Sequence, residues 1–137
     1  MAVMTMGRRG REPMSKVDTA WLRMERSTNL MMISGVMMFE TQLDIGRFKR
    51  MLQERFLAFR RFQQKAVDTP AGAYWETDTD FDLDWHVRLT ALPGKGGREE
   101  LQRLVSHLAS TPLDASKPRW QFHIVEKYDG GSALITR

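Results

Sequence analysis

Residues 119–137 read RWQFHIVEKYDGGSALITR. Two runs of strand-forming residues flank Asp129-Gly130-Gly131, a spacing that predicts a β-hairpin. Alternation along the first run places Gln121, His123 and Val125 on one face. The second run, Ser132 to Thr136, is almost wholly apolar, as in a strand that packs on both sides.

Working outward from the hairpin, TPLDASKP (111–118) is a polar loop bracketed by prolines. Before it, REELQRLVSHLAS (98–110) places Leu101, Leu104, Val105 and Leu108 on one stripe of a helix. PGKGG (93–97) is a loop, and FDLDWHVRLTAL (81–92) alternates as a half-buried strand would. In that reading Leu83, Trp85, Val87 and Leu89 face inward, and Asp82, Asp84, His86 and Arg88 face outward. RRFQQKAV (60–67) and AYWETD (73–78) are strands joined by the turn residues Thr69-Pro70-Ala71-Gly72.

LDIGRFKRMLQERFLAF (43–59) predicts the strongest helix. Asp44 is its N-cap, and Ile45, Phe48, Leu52, Phe56 and Phe59 form an apolar stripe opposite an Arg/Lys-rich face. LMMISGVMMFE (30–40) is a continuous apolar run of strand length, expected to be buried on both faces. In MSKVDTAWLRMERSTN (14–29), Ser15 or Asp18 caps a short helix. Residues 1–13 lack apolar periodicity and are expected to form a disordered extension ahead of one domain over 14–137. Mixed helices and strands without strict βαβ alternation predict an α+β fold, a mixed sheet with packed helices.

Composition narrows the function classes. The 137 residues are 42% hydrophobic, which supports a core, and none is cysteine, which excludes disulfides and thiolate metal sites. The longest apolar stretch is too short to span a bilayer, and the start does not read as a secretory signal. The net charge of +4 is unevenly distributed. Arg47, Lys49, Arg50, Arg55, Arg60, Arg61 and Lys65 crowd residues 47–65, whereas Asp68, Glu76, Asp78, Asp80, Asp82 and Asp84 follow with no base between them. Two explanations stand. The two segments attract each other as solvated faces, or the basic one meets an anionic partner such as a phosphate, CoA or a lipid head group.

No catalytic constellation stands out. The three histidines, His86, His107 and His123, have no metal-site spacing, so no metal is expected. His86 is expected to be exposed, His107 to lie mid-helix at the border of the apolar stripe, and His123 to be the one with a site role open to it. The chain has neither a P-loop nor a Gly-x-Ser-x-Gly elbow.

Four stretches in this order nevertheless resemble the bacterial wax ester synthase/diacylglycerol acyltransferases: residues 14–40, 43–67, 74–96 and 104–137. The resemblance implies transfer of a fatty acyl group from acyl-CoA to a long-chain alcohol or diacylglycerol. It implies acyl-CoA as co-substrate, no further cofactor and no nucleic-acid partner. It also implies a bacterial cytoplasmic setting with contact to membrane or lipid-droplet surfaces. The expected fold is part of the first lobe of a two-lobed architecture like chloramphenicol acetyltransferase and condensation domains, with a missing C-terminal lobe. Pro118, Arg119, Trp120 and His123 are the substrate-path candidates, with Arg119 standing where the family usually has leucine. Catalytic residues are expected beyond Arg137, in a His-His-x-x-x-Asp-Gly motif whose second histidine is the general base, so the chain alone is expected to be inactive. The alternative is a non-catalytic basic module for nucleic acid or an anionic membrane surface. Against nucleic acid, Phe56 and Phe59 fall on the predicted core stripe rather than on a stacking surface.

Overall fold

The computed structural model describes residues 10–137. Its centre is the expected hairpin, β6 (Phe122–Tyr128) and β7 (Gly131–Thr136). Asp129 and Gly130 both have positive φ, 48° and 75°, the conformation that a two-residue turn between twisted strands requires. A register shift between Val125 and Tyr128 sets Glu126 and Lys127 against Ser132 alone.

β7 lies inside a four-stranded sheet of order β2-β7-β6-β5, where β2 is Gly35–Phe39 and β5 is Val87–Thr90. β2 and β6 run antiparallel to β7, and β5 runs parallel to β6, so the sheet is mixed. The parallel step is reached through α4 (Arg98–Ser110), because a parallel pair needs a crossover.

The two faces of β7 explain its apolar run. Ala133 and Ile135 pack with Val125 against Leu101 and Leu108 of α4. Leu134 points the other way, joining Ile124, Val87 and Leu52 under α2 (Ile45–Met51) and the π turn that continues it (Leu52–Phe56). Asp44 caps α2 as expected, accepting from the Arg47 N–H at 2.9 Å. Phe59 leaves the stripe once the π turn ends, and it is 66% exposed.

A second, three-stranded antiparallel sheet has the order β1-β4-β3, with β3 at Gln64–Thr69 and β4 at Gly72–Thr77. Its edge strand β1, Arg11–Pro13, corrects the disordered-extension reading for those residues. Three residues are too few for periodicity to show; they are held by an antiparallel ladder to β4 and by flanking ion pairs. Arg11 meets Glu76 at 3.3 Å, and Glu12 meets Arg60 and Arg61 at 3.0 Å each. Residues 1–9 lie outside the described residues. Ser15 caps α1 (Lys16–Met24) by accepting from the Asp18 N–H at 3.1 Å.

Two further expectations fail. β2 is not buried on both faces but forms a sheet edge, with Val36, Met37 and Met38 exposed. Hydropathy cannot tell an edge from a centre, because strand order is set by distant pairing. The alternating reading of 81–92 also breaks down. Asp82 accepts from the Asp84 N–H at 2.9 Å and starts a single helical turn, α3 (Leu83–His86), ahead of β5. The turn rotates His86 into the interior, where it is 1% exposed.

Candidate functional site

The end of β7 is tied in on every side. The residue that follows it, Arg137, exchanges two backbone hydrogen bonds with Gln121, at 2.8 and 3.0 Å. The Arg137 guanidinium donates to the Leu108 and Thr111 carbonyls at 2.7 and 2.8 Å. A cation is thereby held over the C-terminal carbonyls and negative dipole end of α4. The same group donates to Oε1 of Gln121 at 3.2 Å, and that oxygen also faces Nε2 of His123 at 3.1 Å.

An acceptor shared in this way assigns the proton to Nε2 of His123 and leaves Nδ1 as the lone pair, with the Thr90 hydroxyl at 3.5 Å. Burial, then the nearby charges of Arg137 and Arg88, push the His123 pKa down from 6.5 to about 4. At neutral pH this imidazole is uncharged and weakly basic.

Beside this strand end, a cavity of about 270 Å³ is lined by Leu30, Met31, Ile33 and Leu113 together with Arg119 and Arg137. Glu25, just past α1, sits at 2.8 Å from Arg119 and accepts the Met31 N–H at 3.3 Å through its other oxygen. One ion pair thus ties α1 and the following loop to the segment before β6. Nε of Arg119 is buried and has no partner among the described residues. Among larger clefts, two of about 810 and 1080 Å³ lie toward the hairpin-turn end and the 93–97 loop. Neither contains a histidine or any of the substrate-path candidates, so size alone does not mark the site.

Of the substrate-path residues, only Arg119 reaches the cavity. Pro118 is fully buried behind it. Trp120 donates its indole N–H to the Phe62 carbonyl at 2.7 Å and packs with Phe56 and Phe122, centroids 4.9 and 5.2 Å away. His123 joins the strand end through Gln121 without lining the cavity.

His86, expected in solvent, stacks on Trp120 at 4.2 Å and on Phe81 at 4.9 Å. Its Nδ1 lies 2.7 Å from the Trp120 carbonyl, which can only accept, so Nδ1 carries the proton. The buried Nε2 has no partner among the described residues. Burial lowers the His86 pKa, and the ring is a neutral strut between α3 and the Trp120 segment. Glu25, Gln121 and Arg137 were missed in sequence. Gln121 carried a faint signal, a polar residue between two aromatics. Glu25 carried none, because its partner is 94 residues away.

No group of three or more metal-ligating side chains occurs among the described residues. No helix among them is long and apolar enough to cross a membrane.

Comparison with known proteins places this geometry. A Mycobacterium tuberculosis protein named for diacylglycerol O-acyltransferase activity is 33% identical over 132 residues, covering 90% of this chain and 26% of its own. A second M. tuberculosis protein named for the same activity is 34% identical over 129 residues, covering 88% of this chain and 28% of its own. Among solved structures, the wax ester synthase/diacylglycerol acyltransferase of Marinobacter aquaeolei matches 90% of this chain with a TM-score of 0.71 at 25% identity. The match spans 32% of that enzyme. The starter condensation domain of rhizomide synthetase shares the fold at 11% identity, with a TM-score of 0.61 over 76% of this chain and about a quarter of its own. The chain is therefore part of a lobe common to both groups, and it spans about a quarter of the length of the curated relatives it matches. The family model for the wax ester synthase/diacylglycerol acyltransferase catalytic domain aligns with residues 14–136, and the chain belongs to that family.

Proposed function

We propose that this chain forms part of an O-acyltransferase that moves a fatty acyl group from acyl-CoA to a long-chain alcohol or a diacylglycerol. The observation that carries the reading is the family match over 14–136, joined to a fold match with a wax ester synthase over nine-tenths of the chain. Acyl-CoA would be the only co-substrate, with no metal or further cofactor. The setting would be cytoplasmic and bacterial, at a membrane or lipid-droplet surface where the acceptor is found.

Within this reading the 137 residues supply scaffold and substrate wall rather than the base. Attack of an alcohol on a thioester needs a group that takes the hydroxyl proton, and such a group works best with a pKa near the operating pH. His123 is too weak a base at about 4. His86 is sealed in an aromatic stack. Arg119, in place of the leucine usual in the family, would put a cation into the wall of the cavity beside Leu113 and Met31.

Release of free CoA from palmitoyl-CoA, with hexadecanol or dipalmitoylglycerol as acceptor, tests both parts. The 137-residue chain should give no acceptor-dependent release, and a longer protein containing it should. Turnover by the short chain that His123→Ala abolishes would overturn the assignment of a scaffolding role. Failure of the longer protein with every acceptor would overturn the acyltransferase reading.

A further inference from the structure

The structure decides between the two explanations of the segregated charge. If the basic segment existed to pair with the acidic one, its cations would meet residues 68–84. Among the described residues only Lys49 forms an ion pair with that segment, at 2.6 Å from Asp84, while Lys65 lies opposite Glu76 in the β3–β4 ladder without closing to ion-pair distance. Arg60 and Arg61 turn instead to Glu12, and Arg61 also lies over the Trp75 ring at 4.4 Å. Arg47, Arg50 and Arg55 are exposed, with no carboxylate in ion-pairing range among the described residues. They lie on the solvent side of α2 and its π turn, whose other side carries Phe48, Leu52 and Phe56 into the core. Arg50 and Met51 each lie about one turn beyond Arg47, and Arg55 lies about one turn beyond Met51, across the π turn.

Apolar groups accompany these cations. Met51 is 43% exposed, and Phe59, three residues beyond the π turn and edge-on to Phe62, is 66% exposed. A soluble phosphate or CoA would use the guanidinium groups but has no use for a protruding phenyl ring and thioether. An anionic bilayer uses both, because cations meet the head groups while the apolar side chains enter the interface. We infer that the Arg47–Arg50–Arg55 face, with Met51 and Phe59, docks this protein on anionic lipid surfaces. The inference rests on the lipid-surface setting proposed above and assigns it to one element.

Co-sedimentation with vesicles of phosphatidylcholine and phosphatidylglycerol (3:1), and of phosphatidylcholine alone, tests the assignment at roughly 0.1 M salt. The protein should bind the mixed vesicles and not the neutral ones. The triple variant Arg47→Gln/Arg50→Gln/Arg55→Gln should bind on the order of 100-fold more weakly, since each surface cation contributes about fivefold. Phe59→Ser should weaken binding about tenfold with the charge unchanged. Lys95→Gln/Arg98→Gln/Arg103→Gln, which removes the same charge from the other side of the sheet, should stay within roughly threefold. Far-UV circular dichroism and the urea midpoint confirm that each variant is folded. Wild-type binding that the α2 triple leaves intact would overturn the assignment of this face while leaving lipid contact standing. Complete displacement by inorganic phosphate would point to a soluble-anion site and overturn the lipid assignment. Absence of binding to the mixed vesicles would overturn both the face and the lipid setting, whereas CoA release bears on acyl transfer alone.

Discussion

Adjacent glycines in the hairpin turn carry unequal constraints. A Cβ at Gly131 would lie 1.9 Å from the Phe39 carbonyl oxygen and 2.7 Å from the Glu40 carbonyl carbon, both backbone atoms that cannot step aside. Gly131→Ala should therefore force β2 away from β7 and destabilise the fold by more than about 3 kcal/mol, read as a urea midpoint. Gly130 has φ of +75° but open space around it, so Gly130→Ala should cost only about 1 kcal/mol. Reversal of that order would mean that β2 does not lie against the hairpin as described. Acid sensitivity also belongs to single residues. His86 and His123 both have lowered folded pKa values, so the unfolded chain takes up their protons first. Stability present above pH 6.5 should fall as the pH drops toward about 4. The loss attributable to His123 should be about 1–2 kcal/mol after allowance for its partial exposure. His123→Gln should flatten the urea midpoint between pH 7 and 4.5, and an unchanged slope would contradict the charge environment drawn from Arg137 and Arg88.

Among the elements, the α2 stripe was legible because its spacing and its cap at Asp44 coincide. It misled at its end, because a π turn changes the angular step and no residue pattern announces one. The consequence is measurable. Phe56 stacks on Phe62 at 3.7 Å and meets Trp120 and Phe122, so Phe56→Ala should cost about 3–5 kcal/mol in chemical denaturation. Phe59→Ala should cost less than about 1 kcal/mol, because that ring is mostly in water. Equal costs would restore the regular stripe. β1 presents the opposite case, with order invisible to periodicity and supplied by a ladder to β4 and by ion pairs. Deleting residues 1–13 should lower Tm by several °C. An unchanged Tm would show that β1 adds nothing to the small sheet.

For the whole molecule, sequence periodicity gave the α+β class, α4 and the β3–β4 and β6–β7 hairpins, but not every boundary: the strand expected over 60–67 begins as a 3-10 turn at Arg60–Gln63, and β3 runs from Gln64 to Thr69. It could not give the order of strands, which follows from contacts such as Gly35 with Thr136, and so β2 was misread as central. The site was less legible than the fold for the same reason. Arg119 was found because it replaces a leucine usual in the family, but its partner Glu25 comes from the far end of the chain, and His86 was misplaced by a turn that one Asx contact creates. Local patterns report on local structure. A site built from residues remote in sequence appears only when the fold brings them together.

The central position of β7 also sets a timetable. Of the elements described, the strand that joins β2 to the rest of its sheet and packs on both helical layers is the last to leave the ribosome. Until it emerges, β2 has no hydrogen-bonding partner, and Leu52, Ile124 and Leu101 lack part of the surface that covers them. Contacts spanning about a hundred residues close slowly, and open apolar faces attract other chains meanwhile. A chain stopped after Gly130 should show no cooperative unfolding transition and should bind a hydrophobic dye, whereas residues 1–137 should unfold cooperatively. A sharp transition in the shorter chain would show that the sheet can assemble without its middle strand. If it cannot, the growing polypeptide must be shielded until β7 emerges, and its yield in cells should depend on chaperone supply as well as on its final stability.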